Sequence, residues 1–145
     1  MARQGKIEAE IHWEGDSKDV LSAFPSEVKA TFGYSLRRLQ QGELPACDTR
    51  SMSSVGEGVR EMKTDDARTW YRVMYVARIQ GVIYVLHAFE KDSRKTSKRD
   101  LEIARKRLKA VHQRLLAQAK GQTQRVRSGG DGEETKTRNQ RRRPG

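Results

Sequence analysis

Apolar and polar positions alternate from Ile7 to Trp13, where Ile7, Ala9, Ile11 and Trp13 interleave with Glu8, Glu10 and His12. That is the period-two pattern of a half-buried strand. The period then changes. "GDSKDVLSAF" supplies an acidic first turn followed by Val20, Leu21 and Phe24, which predicts a short helix. Pro25 suits a first helical position. Val28, Phe32, Leu36 and Leu39 follow at steps of four, four and three, and Gly42 is a C-terminal stop. The segment reads as two helices, or as one bent at Pro25.

Leu44 to Gly58 is rich in Gly, Ser and Pro and reads as a loop. "GVREMKT" (58–64) is a strand by its flanking context, and "TWYRVMYVARI" (69–79) is one by its density of aromatic and β-branched residues. Gln80-Gly81 is turn-like and "VIYVLHAF" (82–89) is again strand-like, so the last two strands should pair as an antiparallel hairpin. Ser97 with Asp100 matches a capping box at the start of a final helix. There Leu101, Ala104, Leu108, Val111 and Leu115 step by three, four, three and four along one apolar stripe. The order strand, helix, helix, strand, strand, strand, helix predicts a small α+β fold. It has a mostly antiparallel sheet of about four strands, two N-terminal helices and one C-terminal helix.

The chain has 145 residues, enough for one domain with length to spare. The final stretch differs from the rest. Lys120 to Gly145 holds one aliphatic residue, Val126, beside eight Lys/Arg and three Asp/Glu, the composition of a basic tail that stays disordered. Residues 1–119 therefore form the predicted domain and 120–145 the tail. Of the overall net charge of +11, the tail carries +5 and the body +6, so the body is basic in its own right. That balance points to a polyanionic partner.

Cys47 is the single cysteine, which rules out an intramolecular disulfide or a cysteine zinc cluster. No apolar leader or membrane-length stretch is present, so a reducing, cytoplasmic setting without membrane attachment is expected.

No Walker-type loop and no G-x-S-x-G elbow occur. The spacings of His12, His87 and His112 match no metal-ligand pattern, so neither metal nor cofactor is expected. An enzyme with such means fits phosphodiester chemistry on RNA. The 2′-OH is then the nucleophile, and rigidly held cations stabilise the developing charge. Lys63, Arg72, Lys91, Arg94 and Lys95 lie near strand ends or within a strand, where an antiparallel sheet can bring them together.

Arg72 sits within the apolar run "WYRVMYV", where a charge is costly unless paired or solvent-facing. A wet-face position is the favoured reading on chemistry alone. His87 is either a packed, hydrogen-bonded side chain or a proton carrier. Residues 91–99 hold five cations (Lys91, Arg94, Lys95, Lys98, Arg99) against one acid, Asp92. A helix start of that sign opposes the helix dipole unless an anion binds there. Cys47, in the loop with no evident base beside it, reads as an incidental thiol.

Taken together, "YRVMYVARIQGVIYVLHAFEKDSRKTSKRDLEIARKRL" resembles the RelE/HigB superfamily of bacterial toxins, and especially its phage-derived branch found in type II toxin–antitoxin pairs. The residues carrying the resemblance are Tyr71-Arg72 with Tyr75, Leu86-His87-Ala88-Phe89 with Lys91, Lys95-Thr96, and Ala104 with Arg107, best over residues 55–112. The resemblance implies a RelE-like fold and a metal-independent endoribonuclease. Such a protein cleaves mRNA, at the ribosome, by 2′-OH attack on the adjacent phosphate. It also implies inhibition by a cognate antitoxin of helix-turn-helix type whose acidic or amphipathic segment covers the positive groove.

Residue by residue, it places Arg72 at the scissile phosphate, Lys91 as a second catalytic cation and Lys63 as a looser third. His87 enters as a possible assistant, while Arg94, Lys95, Lys98 and Arg99 grip the RNA backbone. Asp92 interrupts the branch's basic pair, and Ser97 replaces a proline. The alternative is a non-enzymatic phage-derived or regulatory module on the same fold, binding nucleic acid or a partner through its basic surface. A relative that inhibits a topoisomerase ranks last.

Overall fold

The computed structural model describes residues 8–91 and 96–130. The chain divides into two units, Met1–Leu108 and Lys109–Gly145. The elements run β1 (Glu10–Trp13), α1 (Ser17–Ser22), α2 (Ser26–Gln40), β2 (Asp48–Ser51), β3 (Val59–Asp65), β4 (Trp70–Ile79), β5 (Val82–Lys91) and α3 (Lys98–Gly130). The described part of the second unit, from Lys109 on, is helical. The helix thus runs into the segment read as tail, and 131–145 lie outside the described residues.

The five strands form one sheet in the order β1-β5-β4-β3-β2. The pairings β2–β3, β3–β4 and β4–β5 are antiparallel, and β1–β5 is parallel. The expected α+β class holds, with one strand more than anticipated. That strand, β2, lies inside the segment read as a loop. Its sequence, Asp-Thr-Arg-Ser, has no apolar residue and therefore no period to read. Backbone pairing along the β3 edge creates it, and Asp48 opposite Lys63 and Arg50 opposite Glu61 place opposite charges across the ladder. The polar composition suits an edge strand.

The hairpin between β4 and β5 turns on Gln80 (φ 54°) and Gly81 (φ 81°), both in the left-handed region that a two-residue I′ turn demands. Helix α2 ends as expected. Gly42 N–H donates to Leu39 O at 3.0 Å and Glu43 N–H to Arg38 O at 2.8 Å, a Schellman closure with Gly42 at φ 81°. Pro25 is the residue flanking α2 rather than its first turn, since its ψ of 149° is extended.

One sheet face meets α1 and α2. Leu21, Phe24, Val28, Phe32, Leu36 and Leu39 pack there with Met62, Tyr71, Val73, Tyr75, Ile83, Val85 and Ala88, and Ile11 and Trp13 border the cluster. Phe32 is fully buried. Truncating a side chain of that size in a packed core costs about 3–5 kcal/mol. The other face carries Val59, Glu61, Arg72, Met74, Leu86, His87 and Phe89, all buried. Ala104 and Leu108 of α3 are buried too, and Leu108 lies against Gly56 so closely that a Cβ there would meet it at 2.3 Å. Among the described residues no helix is long and apolar enough to cross a membrane.

Candidate functional site

The register of β2 to β5 arranges the second face in three rows. Trp70 stands opposite Lys91, and Lys63 opposite Arg72 and Phe89. Arg50 stands opposite Glu61, which is followed across the sheet by Met74 and His87. Successive rows lie about 7 Å apart, two residues along a strand. A one-residue shift between Met74 and Tyr75 turns both Leu86 and His87 towards this face.

In the outer row the side chains of Trp70 and Lys91 are half-buried, as is Lys63, whose Nζ lies 5.1 Å from the Trp70 ring centroid. That is a cation–π contact. The hairpin bearing Trp70 is held by Asp66, which accepts from Thr69 N–H (2.9 Å), Arg68 N–H (3.1 Å) and the Tyr71 hydroxyl (3.1 Å). Those backbone donors, Thr69 first, hold the Asp66 carboxyl below its usual range.

The middle of the face is a polar network. Arg72 is 0% exposed, which corrects the wet-face reading. A guanidinium in an apolar run was affordable because Glu61, also 0% exposed, faces it from the neighbouring strand. Arg72 Nη1 donates to Glu61 Oε1 at 3.2 Å and to Thr96 Oγ1 at 3.0 Å. Arg50 Nε donates to Glu61 Oε1 and its Nη2 to Thr96 Oγ1, both at 3.0 Å, while the Thr96 hydroxyl donates to Glu61 Oε2 at 3.0 Å. One carboxylate, two guanidiniums and one hydroxyl therefore share a single cluster.

The third part lies under the first turns of α3. His87 Nε2 is 2.8 Å from Asp100 Oδ1, and its Nδ1 is 3.5 Å from Arg107 Nη1. A carboxylate on one nitrogen and a guanidinium on the other suit a neutral ring that donates from Nε2 and accepts at Nδ1. The electrostatics agree. Burial is the largest cause holding His87 below its ordinary 6.5, with Arg107 acting in the same sense and Asp100 opposing both. Phe89 stacks on the ring at 4.8 Å.

Asp100 also accepts from Ser97 Oγ at 2.6 Å, and its N–H donates to the same oxygen at 3.2 Å. Ser97 thus caps the helix as expected by accepting the Asp100 N–H, and the Asp100 carboxylate is shared between the serine hydroxyl and His87. Arg107 reaches on to Leu86 O (3.0 Å) and Asp16 Oδ1 (2.9 Å). Gly15, at φ 55°, makes room for it: a Cβ there would lie 2.3 Å from Arg107 Cζ.

The structure therefore brings Lys63 and Lys91 together around Trp70, places Arg72 behind them in a buried pair, and puts His87 beneath α3. Lys98 and Arg99 are exposed on the first turn of α3. Arg94 and Lys95, expected to bind RNA, lie outside the described residues, as does Asp92. Sequence reasoning missed Arg50, Glu61, Thr96 and the partner roles of Asp100 and Arg107. The one available signal was the alternation Val59-Arg60-Glu61-Met62-Lys63, which sets Glu61 on the face of Lys63. Cys47 is half-buried beside Ser35 Oγ (3.5 Å), and burial, the main cause, pushes its thiol up and makes it a poorer nucleophile.

A basic α+β domain with cations on one face of its sheet defines the class of protein. Within it, the family model for phage derived protein Gp49-like (DUF891) matches residues 19–109, and the chain belongs to that family. No curated protein matches the chain.

Proposed function

We propose that the chain is the toxin of a type II toxin–antitoxin pair, an mRNA-cleaving endoribonuclease of the RelE/HigB kind that acts at the ribosome. The observation carrying this reading is a pair of half-exposed lysines at one end of a rigid sheet face, Lys91 opposite Trp70 in the register and Lys63 reaching over the Trp70 ring from the next row. Family membership and the motif resemblance support it.

In this reading the 2′-oxygen gives up its proton to water and attacks the adjacent phosphorus, forming a 2′,3′-cyclic phosphate. The P–O5′ bond breaks, and the 5′-oxygen leaves as a hydroxyl protonated by water. The two ammonium groups stabilise the charge that grows on the phosphoryl oxygens. Arg72, beside Lys63 in the register and paired with Glu61, locks β3 to β4 behind the lysines. His87, neutral and held by Asp100 and Arg107, fixes α3 to β5. The inhibitor would be an antitoxin whose acidic segment covers the lysines.

The test is induction of the full chain in a bacterium without antitoxin, followed by growth and transcript-end mapping, with Lys63→Ala and Lys91→Ala alongside. Growth arrest with new mRNA ends, weakened about 100- to 1000-fold in cleavage rate by either substitution, is expected, the loss of one oxyanion-stabilising group having consequences of that order. Absence of both arrest and cleavage in the unsubstituted protein overturns the reading.

The burial of Arg72 and His87 favours a second reading, a non-enzymatic nucleic-acid-binding module. It requires salt-sensitive binding of RNA without cleavage.

A further inference from the structure

We propose that the free edge of β2 pairs with the same edge of a second copy of the chain, joining two five-stranded sheets into one. Strands β1 and β2 are the two edges of the sheet, and they differ in what lies beside them. At β1, Ala9 N–H donates to Gln40 O at 3.1 Å and Gln40 Nε2 donates to Ala9 O at 2.9 Å. The end of α2 thus takes up the backbone where that edge begins. At β2 the ladder fixes the direction of every peptide. Met52 N–H donates to Val59 O at 2.8 Å, and the register then turns the backbones of Asp48 and Arg50 towards β3. Those of Thr49 and Ser51 face outward, and no backbone bond among the described residues takes them up.

The side chains specify the occupant. In an antiparallel pairing about a two-fold axis at Thr49, each Thr49 exchanges backbone bonds with the partner's Thr49. Asp48 then stands opposite the partner's Arg50, in the non-hydrogen-bonded position where side chains come closest. Within each copy Lys63 lies opposite Asp48, and Arg50 opposite Glu61. The joined row therefore reads Lys63, Asp48, the partner's Arg50, the partner's Glu61, with opposite charges at every step. Asp48 and Arg50 are both exposed and open to such a neighbour. On the other sheet face threonine meets threonine, a favourable cross-strand pair. A shift of two residues, the smallest that keeps the faces, would set Asp48 against the partner's Asp48 or Arg50 against the partner's Arg50. Charge thus selects one register.

The pairing bears on the face that carries the lysines. A two-fold axis normal to the sheet keeps that face of both copies on one side. The partner's Arg50 then lies two strands from Lys63, about 10 Å between Cα atoms, and each site gains a guanidinium from the other copy. Pairing at this edge is independent of the ribonuclease reading. Four residues a side make a small, transient interface, and the net charge of +11 on each copy opposes it. Association is therefore read at high protein concentration.

The experiment is sedimentation equilibrium of the full chain from about 10 µM to about 1 mM in about 0.15 M salt. The mass should rise from 16.6 kDa towards that of the dimer. A mass that stays at 16.6 kDa throughout overturns the proposal and leaves the edge to a strand of another protein. Thr49→Pro removes an N–H that only an incoming strand uses, and should weaken dimerisation at least about tenfold with unchanged circular dichroism. Asp48→Lys should weaken it about tenfold, because lysine then faces the partner's Arg50 twice per dimer. Asp19→Lys, the same charge change at an exposed position of α1, is the control. Equal effects of Asp48→Lys and Asp19→Lys overturn the proposal.

If Thr49→Pro fails to fold, cross-linking decides. Thr49→Cys in a Cys47→Ser background sets two cysteines opposite each other at about 5.5 Å between Cα atoms, within disulfide reach. Oxidation by copper–phenanthroline should give a reducible dimer. Ser51→Cys in the same background lies about 14 Å from its counterpart along the strands and should stay monomeric. Equal cross-linking of the two variants, or none in either, overturns the pairing.

Discussion

Replacing Glu61 with leucine tests whether the buried ion pair organises the second sheet face. The carboxylate accepts from Arg72 at 3.2 Å, Arg50 at 3.0 Å and Thr96 at 3.0 Å, and both Glu61 and Arg72 are 0% exposed. Leucine matches the bulk of glutamate but removes the charge that faces a buried guanidinium. Breaking a buried pair from one side costs about 3–5 kcal/mol. For a domain whose total stability is about 5–15 kcal/mol, that is a large fraction.

The reciprocal change, Arg72→Met, should cost less, because Arg50 and Thr96 still donate to the carboxylate. The double substitution should cost less than Glu61→Leu alone, since it leaves neither a buried cation nor a buried anion. With a urea m-value of about 2 kcal/mol/M, Glu61→Leu should lower the unfolding midpoint by about 1.5–2.5 M. Urea melts followed by circular dichroism on the four proteins close the cycle. A Glu61→Leu variant within about 1 kcal/mol of wild type, or additive single effects, would refute the reasoning. The outcome also bears on activity, because loss of cleavage in an Arg72 variant means little until its folding is known.

Three further expectations follow from particular contacts. His87 is held below its usual 6.5, so the unfolded chain takes up its proton first as pH falls. Stability should therefore be full above about pH 6.5 and decline as pH falls towards the folded value, by at most about 1.4 kcal/mol per pH unit. Urea midpoints between pH 8 and 5 measure this, and His87→Gln should flatten the decline. Gln80→Asn should stabilise the hairpin by about 0.5–1 kcal/mol, read as a rise in melting temperature, because asparagine tolerates the left-handed conformation that Gln80 adopts. Gly15→Ala should lower the melting temperature by several degrees, equivalent to at least about 1–2 kcal/mol from the left-handed strain alone, and it also displaces Arg107 from Asp16.

What the sequence determined by itself was whatever follows from periodicity and local chemistry. The α2 stripe of Val28, Phe32, Leu36 and Leu39 is buried as its spacing demands, and Gly42 closes the helix. The β4–β5 hairpin and the Ser97–Asp100 cap follow for the same reason: their determinants lie within a few residues of one another. Of the cations expected to converge, Lys63, Arg72 and Lys91 share one sheet face, while Arg94 and Lys95 lie outside the described residues.

The tertiary structure alone decided what long-range pairing controls. Strand β2 carries no apolar period and exists because β3 offers it an edge. Arg72 looked solvent-facing because its partner, Glu61, is eleven residues away on another strand, and only the register sets the two side by side. Thr96 and Arg50 enter the same cluster from 46 residues apart. Asp100 and Arg107 flank His87 only because the first turns of α3 lie over β5. A one-dimensional pattern records which residues can be buried, whereas the partner that neutralises a buried charge is set by how the strands align.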